Sequence, residues 1–179
     1  RPEKITSNKV RLNVKKLPAG MPENYNNAVG KFDVSVTKKN HDEKPEIEKP
    51  LNVMVKISGS GNFASMNLPK IANSENYIHY KPKVTSNTTT DKEGVKGTLT
   101  AEYIIVPKKS GIFPIVLEKF SFFSPTENKY VDLGNPSLVL DVKTHEEIIE
   151  AKSTIEKVND YTNNVLETVN TPVLQTKSL

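Results

Sequence analysis

The sequence GVKGTLTAEYIIVPKKSGIFPIVLEKFSFFSP, from Gly94 to Pro125, decides the fold class of this chain. Apolar and polar residues alternate from Leu99 to Val106, which is typical of a β-strand with one buried face. A second apolar run, from Ile112 to Phe123, follows the connection Pro107 to Gly111. We interpret the two runs as a β-hairpin, because a fixed φ and a glycine enclose this five-residue connection.

The second run contains four of the six phenylalanines, so the core is expected to be densest here. Its alternation breaks near Glu118 or Lys119, where we expect a β-bulge. The residues predicted to be buried are Tyr103, Ile105, Leu117 and Phe122.

Short alternating segments predict further strands on both sides of this region. They are Val10 to Val14, Phe32 to Val36, Leu51 to Ile57, Tyr77 to Tyr80, Lys129 to Val131 and Leu138 to Val142. The polar segment Thr85 to Asp91 is interpreted as a turn or mobile loop. Seven to nine short strands with no helix between them predict an antiparallel, immunoglobulin-like β-sandwich over residues 1–143, with a short lead-in from a preceding domain.

The pattern changes after Lys143 to that of an amphipathic helix over residues 144–171, followed by a tail of residues 172–179. Thr144 and Glu147 have the spacing of a capping box. Apolar residues then recur every three or four positions at Ile148, Ala151, Ile155, Val158, Val165 and Val169. We expect the first three to pack on the sandwich, whereas Val165 and Val169 are candidate contacts for a partner or for self-association.

Composition excludes several classes of function. The 179 residues carry a net charge of +4 with basic and acidic residues interspersed, which does not indicate nucleic-acid binding. The absence of cysteine excludes disulfides, thiolate metal ligands and a cysteine nucleophile. No run approaches the ~20 apolar residues of a membrane span. Because the chain starts at Arg1 without a signal-peptide pattern, we expect it to be part of a longer protein.

The segment Gly59 to Ala64 matches the dinucleotide fingerprint G-x-G-x-x-A. That fingerprint requires a following helix, whereas Pro69 and the missing helical period argue against one here. We therefore predict a structural corner or docking edge, with Asn62, Phe63 and Met66 as candidate interaction residues and no cofactor.

The sequence gives little support for a metal site or an enzyme. The histidines His41, His79 and His145 are far apart, and the acidic residues Asp42, Glu43, Glu46 and Glu48 lack the spacing of a calcium loop. No G-x-S-x-G motif is present. We expect no metal site, no catalytic residues and no enzymatic activity, although a spatial triad or a pocket with convergent polar groups would support an enzyme.

Two longer strings resemble the BatD family of bacterial aerotolerance, or oxygen-tolerance, proteins. They are ISGSGNFASMNLPKI, from Ile57 to Ile71, and GTLTAEYIIVPKKSGIFPIVLEKFSFFSPTENKY, from Gly97 to Tyr130. The matching positions are Gly59, Gly61, Asn62, Phe63, Leu68 and Pro69, then Tyr103, Pro107, Gly111, Pro114, Phe122, Phe123 and Pro125. The opening Val10 to Pro18 and the stretch Ala28 to Phe32 also resemble the start of a repeated domain of that family.

The resemblance implies an envelope protein with several β-sandwich domains on the outer face of the cytoplasmic membrane and a C-terminal anchor. The family is encoded beside MoxR-type ATPases and proteins with von Willebrand A domains, and it supplies no catalytic residues. We therefore expect a non-enzymatic protein-interaction module in the periplasm, with von Willebrand A-domain proteins as candidate partners. The alternative is a bacterial surface adhesin or carbohydrate-binding sandwich, which would expose a row of aromatics such as Tyr25, Tyr77 and Tyr80.

Overall fold

The computed structural model describes the backbone of residues 1–170, and the side chains of this range except those of residues 145, 160 and 163–170. The described chain is mainly β, with a curled seven-stranded sheet, a two-stranded sheet and one C-terminal helix. The elements are β1 (Ala28–Lys38), β2 (Leu51–Gly61), β3 (Tyr77–His79), β4 (Lys83–Asp91), β5 (Gly94–Pro107), β6 (Gly111–Val116), β7 (Ser121–Ser124), β8 (Lys129–Asp132), β9 (Ser137–Val142) and α1 (His145–Asn170).

The large sheet has the order β3-β5-β2-β1-β7-β8, and β4 pairs with β5 beside β3. Its strands pair antiparallel except for β1 and β7, which run parallel over a short stretch. Alternation sends one set of side chains inward from each strand, such as Val53, Val55 and Ile57 of β2, which are fully buried. The opposite face is solvated, with residues such as Lys56 exposed.

The two-stranded sheet β6-β9 packs on the inner face of the large sheet. Phe113 of β6 stacks on Tyr77 of β3 with 6.2 Å between ring centroids. The core cluster also contains Tyr103 and Ile105 of β5 and Leu117 after β6. The prediction that Tyr103, Ile105, Leu117 and Phe122 are buried is confirmed, since all four are at most 5% exposed.

A second core cluster centres on Phe32 of β1. Its ring lies edge-on to Phe63, Phe120 and Phe122, with centroids 5.2, 6.3 and 5.8 Å away. Burial of four phenylalanines in one cluster contributes a large part of the hydrophobic stabilisation of this end of the sheet.

The predicted hairpin between the two central runs is wrong. β5 pairs with β2, β3 and β4, whereas β6 leaves the large sheet and pairs with β9. The predicted bulge is also wrong, because the apolar run breaks between Val116 and Ser121 into two strands that belong to different sheets. Pairing of β5 with β6 would bury the same face of β5 as the observed pairing does, so the alternation of apolar residues does not distinguish the two arrangements.

Two other predictions are corrected by the structure. The segment Thr85 to Asp91 lies in the edge strand β4, where threonine fits the extended backbone and every side chain is exposed. The segment Val10 to Val14 forms no strand, and its three apolar side chains are more than three-quarters exposed. The strands from Phe32, Leu51, Tyr77, Lys129 and Leu138 are confirmed.

The C-terminal helix is confirmed, and Thr144 caps it by accepting a hydrogen bond from the Glu147 amide at 3.1 Å. The expected packing on the sheets is wrong for Ala151 and Ile155, which are exposed, and Ile148 alone is half-buried. The side chains of Val165 and Val169 lie outside the described residues. Within the described chain, α1 lacks the apolar length that a membrane crossing requires.

Candidate functional site

Exposed apolar residues gather at one place on the outer face of the large sheet. We call Ile78, Tyr80, Ile104 and Val106 the sheet-face patch. Ile78 pairs with Val106, and the Tyr80 amide donates to the Ile104 carbonyl at 3.1 Å, so the four side chains share one face. Ile78, Ile104 and Tyr80 are 44%, 45% and 55% exposed. A contiguous apolar surface of this kind is typical of a contact with another protein.

Sequence reasoning missed the sheet-face patch, although a signal was present. Alternation along β5 assigns Ile104 to solvent, and an isoleucine occupies that position where a polar residue is normal. Its significance depends on Ile78 and Tyr80, whose position beside β5 only the sheet pairing reveals.

The second apolar surface lies on α1, and we call Ile148, Ala151, Ile155 and Val158 the helix stripe. Ile155 and Val158 are 60% and 57% exposed, and the neighbouring Tyr161 is 72% exposed. These side chains are uncovered because no strand of the described chain packs along the helix. Since an amphipathic helix gains most of its stability from packing, the stripe requires a covering surface.

Ion pairs with the β1–β2 loop hold the start of α1. Lys44 binds Glu147 at 2.9 Å and Asp141 at 3.4 Å, and the Lys143 amide donates to the Pro45 carbonyl at 2.8 Å. The hydrogen bond to Glu147 is the main reason that the pKa of Lys44 lies above its ordinary value. These contacts fix where the helix leaves the β-domain.

The same loop encloses a cleft of about 790 Å³. Its lining includes five lysines and three acidic residues, which are Lys38, Lys39, Lys44, Lys49 and Lys143 with Asp42, Glu43 and Glu46. Four of the lysines bind carboxylates and Lys38 donates to the Glu43 carbonyl. The hydrogen bond from Lys49 lowers the pKa of Glu46. Because four of its five lysines are already paired with carboxylates, this cleft does not favour an anionic ligand.

The predicted interaction residues at the corner after β2 make their contacts within the domain. The Asn62 side chain accepts from the Val29 amide at 2.7 Å and donates to the Asn27 carbonyl at 2.8 Å and to Ser65 Oγ at 2.9 Å. Phe63 and Met66 are buried in the core cluster around Phe32 and offer little surface to a partner. The backbone after Gly61 forms a turn, so the dinucleotide fingerprint has no helix N-terminus here.

Replacing Asn62 by Ala is expected to lower the free energy of unfolding by about 1 to 3 kcal/mol, because it leaves the Val29 amide without its acceptor. Urea denaturation followed by circular dichroism measures the change. The control Ser65→Ala removes the hydrogen bond from the Asn62 side chain and a long one, of 3.4 Å, to the Asn62 carbonyl, and it should cost less than about 1 kcal/mol because both are exposed. Equal stability of both variants and the parent would contradict this role of Asn62.

The other candidate residues lie on separate elements. His41 is in the β1–β2 loop, His79 is in β3 beside Asn73, and His145 starts α1. The described residues contain no group of three or more His, Asp or Glu side chains placed to hold a metal ion.

The three tyrosines of the carbohydrate-binding alternative do not form a row. Tyr77 is buried, Tyr25 is half-buried and donates to the Ala28 carbonyl, and Tyr80 alone is exposed.

Comparison with known proteins finds no matching family model, no matching curated protein and no matching solved structure.

Proposed function

We propose that this chain is a non-enzymatic protein-interaction module of a BatD-like bacterial envelope protein, anchored outside the cytoplasmic membrane. The observation that carries the proposal is the sheet-face patch, where Ile78, Tyr80 and Ile104 are each about half exposed on adjacent strands. A hydrogen-bonded sheet presents these side chains without the conformational cost of ordering a loop.

The sequence resemblance supports the choice of partner. Proteins with von Willebrand A domains are encoded beside BatD proteins, and we propose that such a domain docks on the sheet-face patch. Lys83 and Glu102 lie opposite each other on the same sheet face, next to the apolar residues. A tyrosine with flanking aliphatic residues and a polar margin is typical of the centre of a protein interface.

We also propose that the β-domain is an immunoglobulin-like sandwich. Two features support this assignment, namely the mainly antiparallel pairing and the core shared between the large sheet and β6-β9. The short parallel pairing of β1 with β7 is compatible with such a domain.

Titration of the chain with a purified von Willebrand A-domain protein, of the kind encoded beside BatD proteins, tests the proposed function. We expect saturable binding by calorimetry that the variant Ile104→Lys weakens at least tenfold, because a charge would then be buried at the interface. The matched control is Thr98→Lys, on the same strand and the same face but six residues away.

Thermal melts of both variants show whether each one folds. Binding that is absent from the parent chain, or that Ile104→Lys and Thr98→Lys weaken equally, would contradict the proposed role of the sheet-face patch.

A further inference from the structure

The helix stripe repeats with a spacing that differs from an ordinary surface helix. Six apolar residues and Thr162 follow one another at alternating intervals of three and four positions, which is a heptad repeat with a period of 3.5 residues. By sequence, the a positions are Ile148, Ile155, Thr162 and Val169, and the d positions are Ala151, Val158 and Val165. A helix that packs on a sheet has no need of this strict period, whereas a helix that packs along another helix requires it.

We propose that α1 pairs with α1 of a second copy of this chain as a parallel, in-register, two-stranded coiled coil. The exposed Ile155 and Val158 would then enter the seam, which removes them from water. Every a position carries a β-branched residue, as parallel dimers favour at a, although the d positions carry Ala and Val in place of the Leu that usually accompanies it.

Charge along the helix is compatible with pairing between identical copies. In a parallel dimer each g residue faces the e residue five positions later on the partner, which brings Glu147 close to Lys152 of the second copy. Glu147 also binds Lys44 of its own chain at 2.9 Å, so its carboxylate would be shared between the two lysines. The next such pair is Thr154 with Asn159, which is uncharged. An antiparallel pair would lose both Glu147–Lys152 attractions, so charge favours the parallel arrangement.

The polar residue in the repeat does not prevent pairing. The Thr162 hydroxyl donates to the Val158 carbonyl of its own helix at 2.9 Å. The hydroxyl therefore already has an acceptor in its own helix, and the methyl group can pack in the interface between the two helices.

Sedimentation equilibrium over a range of concentrations tests the dimer. We expect the parent chain, with a mass of 20.0 kDa, to approach twice that mass as its concentration rises. Ile155→Glu should raise the dissociation constant at least tenfold, whereas Ile149→Glu, which makes the same substitution at an outward b position that is 64% exposed, should leave it within twofold. A monomeric parent chain, or equal effects of the two variants, would overturn the proposal.

Disulfide trapping tests the orientation, since the parent chain has no cysteine. In a parallel, in-register dimer Ile155→Cys and Thr162→Cys should each form a disulfide with themselves, because a residues face each other across the seam. An antiparallel pair allows only one of the two to face itself, and that result would overturn the parallel assignment. The control Ile149→Cys, at an exposed b position, should remain reduced under the same mild oxidation. A parent chain that is monomeric but still binds the von Willebrand A-domain protein would exclude the dimer without contradicting the proposed function.

Discussion

Replacing Phe32 by Ala is expected to lower the free energy of unfolding by about 3 to 5 kcal/mol, which is a large fraction of the stability of an ordinary domain. Phe32 is 2% exposed and its ring contacts Phe63, Phe120 and Phe122 edge-on. The substitution removes the buried ring, leaves a cavity and ends three aromatic contacts at once. Equilibrium urea denaturation monitored by circular dichroism measures the loss.

A matched control for Phe32→Ala is Ile112→Ala on the outer face of β6. Ile112 is 74% exposed, so its truncation should change the free energy of unfolding by less than about 0.5 kcal/mol. If the two variants unfold at the same urea concentration as the parent, the aromatic cluster does not contribute as the structure indicates.

The second large effect is expected for Gly61→Ala, which should lower the free energy of unfolding by at least about 3 kcal/mol. Gly61 has φ +152°, and a Cβ there would lie 2.2 Å from the Val29 carbonyl oxygen and 2.6 Å from Phe32 Cζ. Relief of the clash requires β1 and β2 to separate where Gly30 faces Gly61 in the register. Thermal and urea denaturation both report the change.

Gly134→Ala separates the two causes of that loss, which are the strain of a positive φ and the steric clash of the added Cβ. Gly134 also has a positive φ, of +74°, but no atom lies within 4 Å of the Cβ position. It should cost about 1 kcal/mol, which is the strain of the backbone conformation without the steric clash. A similar loss in both variants would show that the close approach of β1 and β2 at Gly61 is unimportant.

The two proposed contacts use separate surfaces of the molecule. The sheet-face patch lies on β3 and β5, whereas the helix stripe begins beyond the ion pairs of Lys44. Variants at Ile104 and Ile155 therefore test separate surfaces, and their effects on binding and on dimer formation are expected to be independent.

The prediction of the candidate site from the sequence succeeded in part. The apolar residues of the helix stripe were predicted because their spacing of three and four positions is visible in a single segment, but Ala151 and Ile155 were expected to pack on the sandwich and are exposed. Phe63 and Met66 were assigned to a possible docking edge, but they fill the core because the corner after β2 folds them under Phe32. The sheet-face patch was missed because it combines residues from two strands that only pairing brings together.

The sequence by itself determined the strands with a buried face, the capped helix and most of the core. Each of these depends on a local period or a cap within a few residues, as in Leu99 to Val106 and at Thr144.

The tertiary structure decided which strands pair. β6 pairs with β9 rather than β5. In this position Phe113 stacks on Tyr77, and Ile115 and Leu140 are buried in the core against the large sheet. β4 forms a strand because its backbone hydrogen-bonds to β5 although its side chains bury nothing, and Val10 to Val14 forms none because no edge pairs with it in the described chain. Alternation specifies which face of a strand is buried, whereas long-range packing selects the neighbour.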